Sequence, residues 1–121
     1  FDGTQFDWQH GISYTDTGSL LLSSRVFADP TTTMLIEYTV DHDTQTLTEI
    51  WSFDAEAYAV TNGDAWRLDN GNTLHVVGSA GVIKEVTANG EVAWHLDYGD
   101  THLLGRGEFL EDLYALVSPE D

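Results

Sequence analysis

Chemistry in this chain has few places to come from. It carries five histidines, four cations (Arg25, Arg67, Lys84 and Arg106), 21 Asp and Glu, and no cysteine. Thiol catalysis and disulfides are therefore excluded. No Gly-x-Ser-x-Gly elbow, phosphate loop, Cys-x-x-Cys pair or dinucleotide fingerprint is present. His10 follows Gln9 at the head of an alternating stretch, "HGISY", and Arg25 follows one strand later. Histidine as a class titrates near neutrality, so a neutral imidazole nucleophile is accessible at ordinary pH. An arginine nearby stabilises negative charge on a group in transfer. His10 with Arg25 is a sensible catalytic pair on these grounds; the competing reading is a hydrogen-bonded structural histidine and a surface arginine. Asp64, in "NGDAW", is either a substrate-facing carboxylate or a turn residue capping backbone amides. Arg67 and Arg106 stand out because cations are scarce. Either could pair with the acidic surface, and Arg67 joins Asp64 as a candidate substrate contact.

The other polar residues read as structural. His75, His95 and His102 lack metal-ligand spacing. Asp41, Asp43 and Thr46 faintly echo a calcium loop without its Gly and closing Glu, and read as a solvated hairpin. No metal and no cofactor is expected. Trp8, Trp51, Trp66 and Trp94 would suit sugar stacking, but Trp51 and Trp94 recur at matching places, which favours packing between repeats.

The elements that must position these groups are strands. Val, Ile, Thr, Trp and Tyr are frequent and turn residues punctuate the chain, an all-β pattern. "TTTMLIEYTV", "GVIKEVT" and "EVAWHL" alternate with period two, as half-buried strands do. "LEDLYALV" near the end reads as strand or extended chain. Asn70-Gly71 and Asn89-Gly90 mark hairpins whose residues tolerate positive φ, and Thr17-Gly18 occupies the matching place earlier. The two halves overlay. "HGISYTDTGSLLL" (10–22) lies over "GDAWRLDNGNTLH" (63–75), placing His10 on Gly63-Asp64. "LIEYTV" (35–40) lies over "IKEVTA" (83–88), Glu37 on Glu85. "LTEIWSF" (47–53) lies over "GEVAWHL" (90–96), Trp51 on Trp94. A four-stranded unit repeating every 40–50 residues is the signature of a β-propeller blade. The expected division is 1–9 as the end of a preceding blade, 10–54 and 55–99 as two blades, and 100–121 as a closing strand or tail.

At 121 residues the chain suits one domain. A formal net charge of −17 sets aside nucleic acid and anionic membranes as partners, since both need clustered Lys and Arg. No run approaches the roughly 20 apolar residues of a spanning helix. The chain opens on Phe1, which suggests a processed or excised segment. Two blades cannot close a ring that normally has at least four. Either the chain is part of a longer one or copies self-associate, because unpaired sheet faces invite partners.

These stretches carry a family resemblance. "FDWQHGISYTDTGSLLL" followed by "MLIEYTVDHDTQTLTEIWSF" resembles the arylsulfotransferase-type propeller pattern. "NGDAWRLDNGNTLHVVGSAGVIKEVTANGEVAW" is similar to the next blade of that pattern, and "GRGEFLEDLYAL" to its C-terminal tail. The resemblance implies a six-bladed propeller exported to the periplasm or outside of bacteria. It implies sulfuryl transfer between phenolic compounds through a channel histidine, with no diffusible nucleotide; the partners are then aryl sulfates and phenols. His10 matches the family's histidine after Gln, and Arg25 the arginine after that strand. The family's Asp after the His is here Gly11, and its "Phe-Asp-Asn" is here Ser23-Ser24-Arg25. Those departures keep a second expectation open: a non-catalytic propeller module for binding or scaffolding.

Overall fold

The structure is a computed structural model and describes residues 1–99 and 101–110. Most of "LEDLYALV" therefore lies outside the described residues. Alternating apolar residues separated by tight turns build two four-stranded antiparallel sheets, each in simple sequential order. The first comprises β1 (Phe6–Tyr14), β2 (Leu20–Val26), β3 (Thr33–Asp41) and β4 (Thr46–Asp54). The second comprises β5 (Asp64–Arg67), β6 (Thr73–Val77), β7 (Val82–Val86) and β8 (Val92–Asp97). One 3-10 turn, Gly78–Ala80, joins β6 to β7.

The sheets repeat in register as well as in strand count. Leu21 faces Glu37 and Glu37 faces Trp51; Leu74 faces Glu85 and Glu85 faces Trp94. A register shift follows Glu37 in one sheet and Glu85 in the other, so even the bulge recurs. The hairpins at Gly18, Gly71 and Gly90 are also copies. In each, the glycine N–H donates to the carbonyl three residues back, and that earlier residue's N–H closes on the carbonyl after the glycine. This is a type I turn ending in a left-handed bulge residue, so only the glycine takes positive φ (82°, 84° and 80°). Asn70 and Asn89 do not, contrary to the expectation for an Asn-Gly pair. Asn70 instead uses its side chain, whose Oδ1 accepts the Asn72 N–H at 2.9 Å.

The two sheets pack face to face. Leu21 and Leu35 of the first meet Ala65 and Val86 of the second, with Trp51 and Phe53 alongside. The opposite face of the first sheet buries Leu22, Val26, Ile36 and Tyr38 under Phe6, Leu20, Met34 and Leu47. Of residues 1–9, expected to end a preceding blade, residues 1–5 instead run along the outer edge of the first sheet and residues 6–9 fall in β1. Asp2 bridges in parallel to Thr48 beside β4, and Phe1 packs edge-on against Phe6 and Tyr38. The crossover from β4 to β5 fills a third apolar cluster of Ala55, Ala59 and Val77. It leads the chain from the outer strand of one sheet to the first strand of the next. Face-to-face repeats linked this way fit β-propeller blades.

Every residue of β8 is exposed, including Trp94 at 48% and Leu96 at 45%. Trp51, at the same register position, is half-buried; its indole N–H donates to the Ala88 carbonyl at 3.0 Å and its ring lies under Arg67. The two tryptophans differ only in what lies across from them. The first sheet has the second sheet on that side. Among the described residues, β8 has no such neighbour.

Candidate functional site

The site is built where the first strands of the two sheets run side by side. β5 packs against β1 and β2. Close approach requires Gly11: it sits at φ 58°, and a Cβ there would collide with Asp64 Cα and the Gly63 carbonyl. Gly11 is also the register break of β1, between His10 and Ile12. That bulge corrects the sequence overlay by one residue. His10 stands opposite Ser23, and Asp64 opposite Val76, the counterpart of Ser23. The structural equivalent of His10 is thus Asp64, and Gly63 is displaced from that place. A bulge adds a residue without adding a pair, so matching by spacing alone slips there.

His10 lies between two spaces. On one side is a cavity of about 10 Å³ lined by Trp8, Ser23, Ser24, Arg25, Ala59 and Asn62, among others. His10 Nε2 and Arg25 Nε are both buried without a hydrogen-bond partner. A space of that size holds no substrate. Arg25 is held there by three contacts. Its Nη1 donates to the Tyr58 hydroxyl at 2.9 Å, and its guanidinium lies 5.1 Å from the Trp8 ring centre and 6.0 Å from that of Tyr58. On the other side is an open cleft of about 300 Å³, lined by His10, Gly11, Ile12, Asp64, Trp66 and Arg106, with Gly63 and Gly105. His10 and Asp64, two residues singled out by sequence, meet in this cleft.

Asp64 is buried at 4% exposure, and its hydrogen bonds explain how a carboxylate tolerates that. Its Oδ1 accepts the Ala65 N–H at 3.0 Å. Its Oδ2 accepts the Trp66 indole N–H at 2.9 Å and the Gly107 N–H at 3.3 Å. Arg106 Nε adds an ion pair at 3.7 Å. Asp64 therefore lines the cleft with both of its oxygens engaged by N–H groups of the protein.

Arg67 is placed elsewhere. It pairs with Glu37 across the two sheets, donates to the Gly71 carbonyl at 3.1 Å and covers Trp51. It lines a separate groove with Trp66, Asp69 and Phe109. Glu37, itself buried, also accepts the Ser19 hydroxyl, so a partly buried ionic bridge clamps sheet to sheet.

Two residues that the sequence reading left outside the site bear on it. His75 is fully buried between the sheets, where its Nε2 meets Ser23 Oγ at 2.9 Å and its Nδ1 has no partner. Burial, with the Lys84 charge as a lesser cause, pushes its pKa down to about 3. Ser23 is also the strand partner of His10, so His75 supports the strand behind the cleft. Arg106 is the other, and only its scarcity marked it. Among the described residues no three His, Asp or Glu side chains gather as a metal site would need, and no helix is long and apolar enough to cross a membrane.

Two stacked, register-matched antiparallel sheets with a polar cleft between their first strands define an all-β protein. Residues 1–99 match the arylsulfotransferase (ASST) family, and the chain belongs to it. No curated protein and no solved structure matched in the corresponding comparisons.

Proposed function

We propose that the chain forms two blades and the start of a third in an arylsulfotransferase-type β-propeller, and that the completed ring moves a sulfuryl group between phenolic compounds through His10. One observation carries the reading: a member of this family places a histidine at the first-strand position that opens on a polar cleft. The exposed β8 face is where the ring continues, through further sheets of the same polypeptide or through other copies. Family membership favours an exported location, periplasmic or secreted, which fractionation of the host checks.

In this reading a neutral ring nitrogen of His10 donates its electron pair to the sulfur of an aryl sulfate. The S–O bond to the ring breaks and the phenolate leaves with the bonding pair. The oxygen of an acceptor phenol then attacks the same sulfur. The N–S bond breaks, its pair returns to the imidazole, and the acceptor's proton passes to solvent. Neither half-reaction needs a nucleotide. Arg25, stacked between Trp8 and Tyr58, is assigned to holding the rear of His10 and supplying positive field rather than contacting substrate. Asp64 and Arg67, expected to touch substrate, are assigned holding roles, since both Asp64 oxygens and both terminal nitrogens of Arg67 are engaged within the protein.

The test uses the complete assembly, its mass established by light scattering. Phenol release from a chromogenic aryl sulfate is followed for the parent and for His10→Ala. Release by the parent and loss of at least a hundredfold in the variant support the reading. No release by the parent, or an unaffected variant, defeats it.

A further inference from the structure

Asp64 stands thirteen residues after Trp51, and Gly107 stands thirteen after Trp94. Because Trp51 and Trp94 share a register position, the spacing makes residues 105–107 the approach to a third first-strand. The contacts agree. Gly107 N–H donates to Asp64 Oδ2, so Asp64 lies between Gly11 on one side and Gly107 on the other. Gly107 itself sits so close to the second sheet that a Cβ would press on Val76. Its predecessor, Arg106, is delivered into the cleft that His10 lines.

Arg106 differs from the other three cations. Arg25 is held by Tyr58 and Trp8, Arg67 by Glu37 and the Gly71 carbonyl, and Lys84 by the Ala55 carbonyl at 2.6 Å. Arg106 is 75% exposed along its side chain. Its Nε faces Asp64, and its guanidinium lies 5.2 Å from the centre of the Trp66 ring. Its Nη atoms make no hydrogen bond among the described residues. A guanidinium drawn to Asp64 through Nε and to one ring face leaves its outer nitrogens available to a planar pair of oxygens. In a chain of net charge −17, an anion needs such a local cation to approach.

We infer that Arg106 is an anion-binding residue of the cleft, gripping the sulfate-ester oxygens of an aryl sulfate opposite His10, with Asp64 as the residue that positions it. This rests on the cleft being the transfer site, and the experiment separates the two claims. Inorganic sulfate is titrated into the complete assembly by calorimetry, with Trp fluorescence as a second signal because Arg106 covers Trp66. Phenol release from 4-nitrophenyl sulfate is measured alongside. Arg106→Ala should weaken sulfate binding by roughly ten- to a hundredfold, as loss of a charge-assisted pair does. Its KM for 4-nitrophenyl sulfate should rise in step, and Arg106→Lys should recover part of both. Because the side chain is exposed, thermal unfolding of both variants should match the parent. Sulfate binding within twofold of the parent in Arg106→Ala, or no sulfate binding by the parent at millimolar concentration, overturns the inference. Arg106-dependent sulfate binding with phenol release indifferent to His10 would instead sink the transfer reading and leave the anion site standing.

Discussion

Lowering the pH should load a specific weakness into this fold, at His75. The imidazole is fully buried between the sheets, with one nitrogen on Ser23 and the other without a partner. Desolvation first, and Lys84 second, hold its pKa at about 3, against 6.5 for the exposed group. The folded value lies below the unfolded one, so the unfolded chain binds the extra proton. Stability from this residue is full above pH 6.5 and falls as the pH drops toward 3. Linkage between those two values gives a loss of about 2 kcal/mol by pH 5, and at most about 4–5 kcal/mol across the whole window. The carboxylates complicate the lower part of that range, so the useful interval is pH 7.5 to 5. His75→Leu is the matched control, because its counterpart in the first sheet is Leu22, itself buried. Urea unfolding of both proteins across that interval isolates the residue, since His10, His42, His95 and His102 are common to both. The parent should lose about 2 kcal/mol relative to the variant between pH 7.5 and pH 5. Equal slopes would show that His75 is either accessible or paired in solution, and the burial argument would be wrong.

Three other variants test the ion pair, the turns and the close approach of the first strands. Arg67→Ala leaves the Glu37 carboxylate between the sheets with only the Ser19 hydroxyl, and should cost about 2–4 kcal/mol in denaturant unfolding; a change below about 0.5 kcal/mol would mean that the pair is effectively solvated. Gly71→Ala, at φ 84° with open space around it, should cost about 1–2 kcal/mol through the backbone alone. Gly11→Ala carries a similar backbone penalty and also drives a methyl into Asp64, so it should cost more and lower His10-dependent phenol release; equal costs for the two would show that the first strands are free to separate.

Much was already written along the chain. Period-two alternation and glycine turns determined the strands, because each strand must bury one face and each hairpin needs a residue that accepts positive φ. The match of Glu37 to Glu85 and Trp51 to Trp94 was legible for the same reason: copies of one packing unit keep the residues that make it. The composition also excluded thiol chemistry, since the chain has no cysteine. What tertiary structure decided was which copies of those residues meet. A bulge at Gly11 made Asp64 rather than Gly63 the counterpart of His10, a choice that spacing left open. Arg67 turned into the contact between sheets because Glu37 of the other sheet lies across from it, thirty residues away in sequence. His75 reads as an ordinary strand residue until the first sheet closes over it and removes its water. Arg106 reads as a surface cation until Asp64 and Trp66 draw it beside His10. Local pattern sets which face of a strand is apolar; desolvation and charge pairing depend on what the rest of the chain brings to that face.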